Sequence, residues 1–117
     1  MNKLTRFKAA TFFGSVLATT AGPLLAQGNF EGVELSIEHV AGNVYMVQRP
    51  GGGGNIGVQI GDDGVLLVDS LFAPLSDKLV AAVREVSDSE IRFLINTHIH
   101  MDHVGGNENL AEMGVLI

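Results

Sequence analysis

An α/β layer fold follows from three features of the sequence. Short segments that alternate apolar and polar residues fill the stretch from about Val33 to Ile60, the pattern of half-buried strands. After Pro74 the apolar period changes to three or four and then returns to strand at Ile91, which gives a strand–helix–strand unit. A polar cluster, "NTHIHMDHVGG" at residues 96–106, comes straight after that strand, where folds of this class place their sites.

The elements follow in order. "VELSIEHV" predicts a strand from about Val33 to Val40, and "GNVYMVQR" a second one. "PGGGG", Pro50 to Gly54, breaks the pattern. In "NIGVQI" the residues Ile56, Val58 and Ile60 share one face, and "GDDG" at 61–64 is a hairpin turn. "VLLVD" is continuously apolar, as in a strand buried on both faces. Leu75, Leu79, Val83 and Val86 then recur at helical spacing behind Pro74, with Ser76, Asp77 and Glu85 on the polar side. "IRFLIN" returns to strand. Beyond the histidines, "NENLAEMG" reads as a helix with Asn107 as cap and Gly114 as stop. "VLI" looks like the opening of a further strand, which needs a neighbour to pair with, so the chain is expected to be an N-terminal fragment of a longer protein.

Composition narrows the class. The 117 residues suffice for one small domain, and 46% hydrophobic with 17% charged residues is a globular balance. There is no cysteine, which excludes disulfides and thiolate zinc ligands within this stretch and suits an oxidising compartment. Residues 1–26 differ from the rest. Lys3, Arg6 and Lys8 precede an uncharged stretch that ends at the small residue Ala26, the layout of a secretory signal. An uncleaved anchor is the competing reading, but Gly14, Thr19, Thr20, Gly22 and Pro23 dilute the stretch and favour cleavage. The expected organisation is a signal peptide at 1–26 and one domain at 27–117, periplasmic or secreted, with no stable membrane anchor after cleavage. The domain then carries four basic residues against thirteen acidic ones, a net charge of −9. That excludes a nucleic-acid partner, for want of a basic patch. A small-molecule substrate is expected instead, and the oligomeric state is open.

The histidine cluster carries the chemistry. His98 and His100 are two apart, and on an extended segment they project to one side, towards one ion. Asp102 adds a carboxylate near that side if the backbone stays extended, and His103 faces elsewhere, towards a second ion. Imidazole nitrogen and carboxylate oxygen are ordinary zinc donors. Gly105 and Gly106 let the chain turn sharply into the next helix. His39 stands apart from the cluster and reads as an ordinary surface or core residue.

"THIHMDH", with "GVLLVDS" before it and "VGGNENL" after it, resembles the metallo-β-lactamase superfamily. The resemblance spans about Val33 to Ile117 and implies the N-terminal half of an αββα sandwich. It implies that His98 and His100 share one zinc with a later histidine, and that Asp102 and His103 share a second with further late ligands. It implies that Asp69 supports the metal loop by hydrogen bonding, against the alternative of a turn residue capping a strand. It also implies that Thr97 steadies the ligand loop. With His103 at the last motif position, a second site of histidine and aspartate ligands is expected, not one built on cysteine. "RPGGGGN" is either a loop folding over substrate, as in lactamase-like members, or a plain hairpin tip.

The implied activity is zinc-dependent hydrolysis. Metal-bound hydroxide, oriented by Asp102, attacks a carbonyl, with a β-lactam amide as one candidate substrate. The alternatives are an iron-containing oxidoreductase on the same ligands and an inactive fragment. Four ligands give at most two per metal where a catalytic zinc normally has three. The 117-residue chain alone is therefore expected to bind zinc weakly and to hydrolyse nothing.

Overall fold

A five-stranded sheet organises the chain, seen in a computed structural model that describes residues 29–117. The signal peptide expected at 1–26 lies outside the described residues. The strands are β1 (Ser36–Ala41), β2 (Val44–Gln48), β3 (Ile56–Gly61), β4 (Gly64–Val68) and β5 (Ile91–Ile95), and they lie side by side in that order. The first three pairings are antiparallel because their connections are short hairpins. β4 and β5 run parallel, since a helix crosses over between them. That helix, α1 (Ser76–Arg84), follows a 3-10 turn at Ala73–Leu75 that holds Pro74 near its start, where a missing N–H costs nothing. Two short helices follow β5: α2 (Met101–Val104) and α3 (Asn107–Glu112). Leu116 then bridges to Phe93 in parallel, the start of the further strand. Among the described residues no helix is long and apolar enough to cross a membrane.

The core lies between one face of the sheet and the helices. Val47, Ile56, Val58, Val65, Leu67 and Leu94 supply the sheet side, and Leu75, Leu79, Ala82, Val83 and Leu110 the helical side. Each buried leucine stabilises the fold by about 1.5–3 kcal/mol through removal from water. The strand alternation therefore places Ile56 and Val58 as expected, and their partners Val47, Tyr45 and Leu67 face the same way.

Several expectations are corrected. The first strand begins at Ser36, not Val33. β4 is not buried on both faces: Val65 and Leu67 are inside, while Leu66 and Val68 are half-buried on the opposite face. On that face they join Phe93, Ile95 and Leu116, the last two 55% and 69% exposed, with nothing among the described residues covering them. Ser76 is buried, not on the polar side, because its hydroxyl donates to the Ala73 carbonyl within the turn. Asn107 does not cap α3; the position before the helix is Gly106, and the Asn107 side chain is engaged elsewhere.

Candidate metal centre

The parallel pairing of β4 with β5 builds the site. Its register sets Val68 beside Ile95, so both chains leave the sheet at the same height and Asp69 emerges next to Thr97. The Asp69 backbone N–H donates to the Ile95 carbonyl at 2.8 Å. Its carboxylate then collects three donors, each at 2.7 Å: the Thr97 N–H on Oδ1, and the Thr97 hydroxyl and His103 Nδ1 on Oδ2. Burial by itself pushes this carboxyl up. The hydrogen bonds from His103 and from Thr97 outweigh it and hold the group below the usual carboxylate range. Asp69 has φ 71° and the buried Leu71 has φ 58°, so the turn after β4 is held in a left-handed conformation by its surroundings.

These contacts set which imidazole nitrogens stay free. His103 Nδ1 faces Asp69, so its proton belongs there and Nε2 keeps a lone pair. The Thr97 hydroxyl spends its proton on Asp69 and accepts from His98 Nδ1 at 2.9 Å, which leaves His98 Nε2 free as well. His98 Nε2 lies 3.1 Å from His100 Nδ1, and His103 Nε2 lies 3.5 Å from Asp102 Oδ2. Two donors at a tetrahedral angle on zinc, with bonds of about 2.0–2.1 Å, are about 3.3 Å apart. Both pairs match that span, so the donor set fits zinc in type and in separation. Among the described residues no group of three such side chains is arranged around one ion; the donors come as two pairs.

The backbone between the pairs departs from the extended path read from the sequence. His100 is extended, at φ −67° and ψ 147°, but Met101–Val104 form a helical turn. The condition for Asp102 to project beside the first two histidines therefore fails, and the turn brings it to His103 instead. Nor does His103 face away from the others: its ring centroid lies 3.9 Å from that of His98. His98 and His100 are exposed, and Asp102 and His103 half-buried. His39 is remote in contacts as well as sequence, bonding Gly42 and stacking on Tyr45.

The loop is fixed from behind by residues that the sequence reading missed. Asn96 and Asn107 exchange side-chain amide hydrogen bonds, and Asn96 also donates to the His103 carbonyl at 3.0 Å. The Ser70 N–H donates to the same carbonyl at 2.8 Å, and its hydroxyl lies 2.7 Å from Asn107 Oδ1. Part of the signal was present: Asn96 and Asn107 flank the histidine motif directly, in "INT" and "GGN", whereas Ser70 follows Asp69 in "VDS", far upstream. Gly105 and Gly106 do not serve a sharp turn, as both are right-handed helical in conformation. They let two backbones touch. A Cβ on Gly105 would lie 2.9 Å from the Leu71 carbonyl oxygen, and one on Gly106 would strike that of Ser70.

Comparison with known proteins agrees with this architecture. The metallo-beta-lactamase superfamily profile matches residues 39–114. No curated protein matches the chain significantly. Among solved structures, the metallo-beta-lactamase MIM-1 from Novosphingobium pentaromativorans is 27% identical, with a TM-score of 0.63 over 70% of this chain and 30% of that one. A B3 metallo-beta-lactamase described as the first with an active-site glutamic acid is 28% identical, with a TM-score of 0.61 over 68% of this chain and 30% of its own. The class B3 di-zinc enzyme LRA-12 from an Alaskan soil metagenome shares the fold at 14% identity, with a TM-score of 0.63 over 75% of this chain and 33% of that one. The chain thus spans about a third of the length of these structures, and its sheet and helices match the N-terminal portion of their fold. With the match covering most of the described residues, the chain belongs to the metallo-beta-lactamase superfamily.

Proposed function

We propose that this chain carries half of a dinuclear zinc site in a secreted hydrolase. The observation that carries the reading is the pairing of ligand-type atoms at ligand-like separations: His98 Nε2 with His100 Nδ1 at 3.1 Å, and Asp102 Oδ2 with His103 Nε2 at 3.5 Å. The first pair would hold one zinc and the second pair another, with the remaining ligands drawn from outside these 117 residues. Zinc there supplies Lewis acidity for the electrophile and lowers the pKa of a bound water towards neutrality. Asp69 and Thr97 hold the protons of His103 and His98 on the Nδ1 side, so the Nε2 lone pairs face the reaction. Asp102, accepting only, would both bind metal and orient the attacking water.

A β-lactam amide is the candidate substrate. It is supported by likeness at 27–28% identity to two metallo-beta-lactamases and by a basic, then apolar, leader that would deliver the protein to the periplasm. The acidic domain argues for a small-molecule substrate over a nucleic acid. Elemental analysis of the whole protein, with hydrolysis of a chromogenic cephalosporin, tests the reading. Two zincs per chain with hydrolysis are expected. Iron at full occupancy without hydrolysis would overturn it in favour of oxidoreduction.

A further inference from the structure

We propose that Gly54 is a positioning residue for His103: its missing side chain leaves the space in which the imidazole is clamped against Asp69. The four glycines at 51–54 have two distinct tasks. Gly51, Gly52 and Gly53 have φ of 87°, 96° and 111°, so their backbone conformation requires glycine, while space around them is open or ordinary. Gly54 has no positive φ and is required for the opposite reason. A Cβ there would lie 2.7 Å from His103 Cε1, 3.0 Å from Nε2 and 3.1 Å from Nδ1.

A side chain that approaches so closely can usually turn aside, but this one is held. His103 Nδ1 is bonded to Asp69 Oδ2, its ring lies against that of His98, and its carbonyl receives Ser70 and Asn96. Rotation away from Gly54 would break the Asp69 bond and swing Nε2 away from Asp102. Gly54 alone of the four is therefore the wall beside the His103 ring. Of the two readings of "RPGGGGN", a plain hairpin tip does not account for Gly54.

The consequence for metal rests on the proposed ligand role of His103, whereas the contact itself does not. The test uses the whole protein and the substitutions Gly54→Ala, Gly51→Ala and His103→Ala. In metal-free protein, denaturant unfolding gives a double-mutant cycle between positions 54 and 103. Gly54→Ala is expected to destabilise the wild type and to cost much less once His103→Ala has removed the ring. Histidine 1H–15N spectra should lose the Nδ1–H signal of His103 in Gly54→Ala and keep it in Gly51→Ala, which strains the loop without touching the ring. Zinc titration should then show one of two sites weakened about 10–100-fold by Gly54→Ala, the scale on which lost support of a ligand is felt. An additive cycle with an unchanged His103 signal overturns the proposal. If Gly54→Ala does not fold, Gly54→Ala combined with His103→Ala should regain folding, and its failure to do so also overturns it. Coupling with undisturbed zinc affinity would leave the positioning of His103 standing and overturn its role as ligand.

Discussion

Asp69 shows at the scale of one residue how a ligand loop is ordered before any metal arrives. Its two oxygens take three hydrogen bonds: one sets the His103 tautomer, one sets that of His98 through the Thr97 hydroxyl, and one fixes the Thr97 backbone. Asp69→Asn keeps the shape but replaces one acceptor with a donor facing another donor. It should destabilise the protein by about 1–3 kcal/mol and weaken zinc at the Asp102–His103 pair by about 10–100-fold, read by denaturant unfolding and competitive zinc titration. The pH dependence has a definite sign. The carboxyl titrates lower in the folded state than in the unfolded chain. Its contribution is therefore complete above the ordinary carboxylate value of about 3.9 and is lost as pH falls through the lowered folded value. In metal-free protein, the stability gap between wild type and Asp69→Asn should close as pH falls below about 4. A gap that widens with acid would contradict this. The grouping of His98, His100, Asp102 and His103 was legible because they fall within six positions of the sequence. The tautomers were not, since they depend on Asp69, about thirty residues away in sequence.

At the scale of elements, the site depends on two connections lying in backbone contact. The turn after β4 and the turn between α2 and α3 share the hydrogen bonds from Ser70 N–H to the His103 carbonyl and from Gly106 N–H to the Leu71 carbonyl. Neither would fit over a side chain at Gly106, whose Cβ would strike the Ser70 carbonyl oxygen. A backbone cannot rotate aside as a side chain can. Gly106→Ala should therefore cost at least about 1–3 kcal/mol, the usual toll of overpacking, seen as a lower denaturant midpoint with an unchanged slope. No loss of stability would show that the turns separate freely. Strand and helix order was readable from period, because β3, β4 and α1 each bury one stripe of side chains, while β1 keeps only Ile37 half-buried. The helical turn at Met101–Val104 was not: four residues are too few to show a period, and the motif looks extended until its hydrogen bonds are seen.

On the scale of the whole molecule, the sheet is made to be covered twice. One face packs Val58, Leu67 and Leu94 against the helices, and the other presents Leu66, Val68, Phe93, Ile95 and Leu116 with no layer over them among the described residues. A sheet apolar on both faces belongs in a sandwich, and the matched structures are more than twice as long as this chain. The proposed metal donors repeat the pattern, since each pair would leave an ion one protein ligand short of the usual three. The uncovered face includes β4 and β5, whose ends carry the donor cluster, so a layer packed over those strands would be placed to supply both cover and ligands. The 117-residue chain expressed alone should therefore bind an apolar dye, self-associate as its concentration rises, hold zinc weakly and leave a chromogenic cephalosporin intact. Dye fluorescence, sedimentation and equilibrium dialysis measure the first three. A monomeric 117-residue product that holds two zincs through dialysis and hydrolyses the cephalosporin would show that these four donors suffice, and that the second layer serves neither purpose.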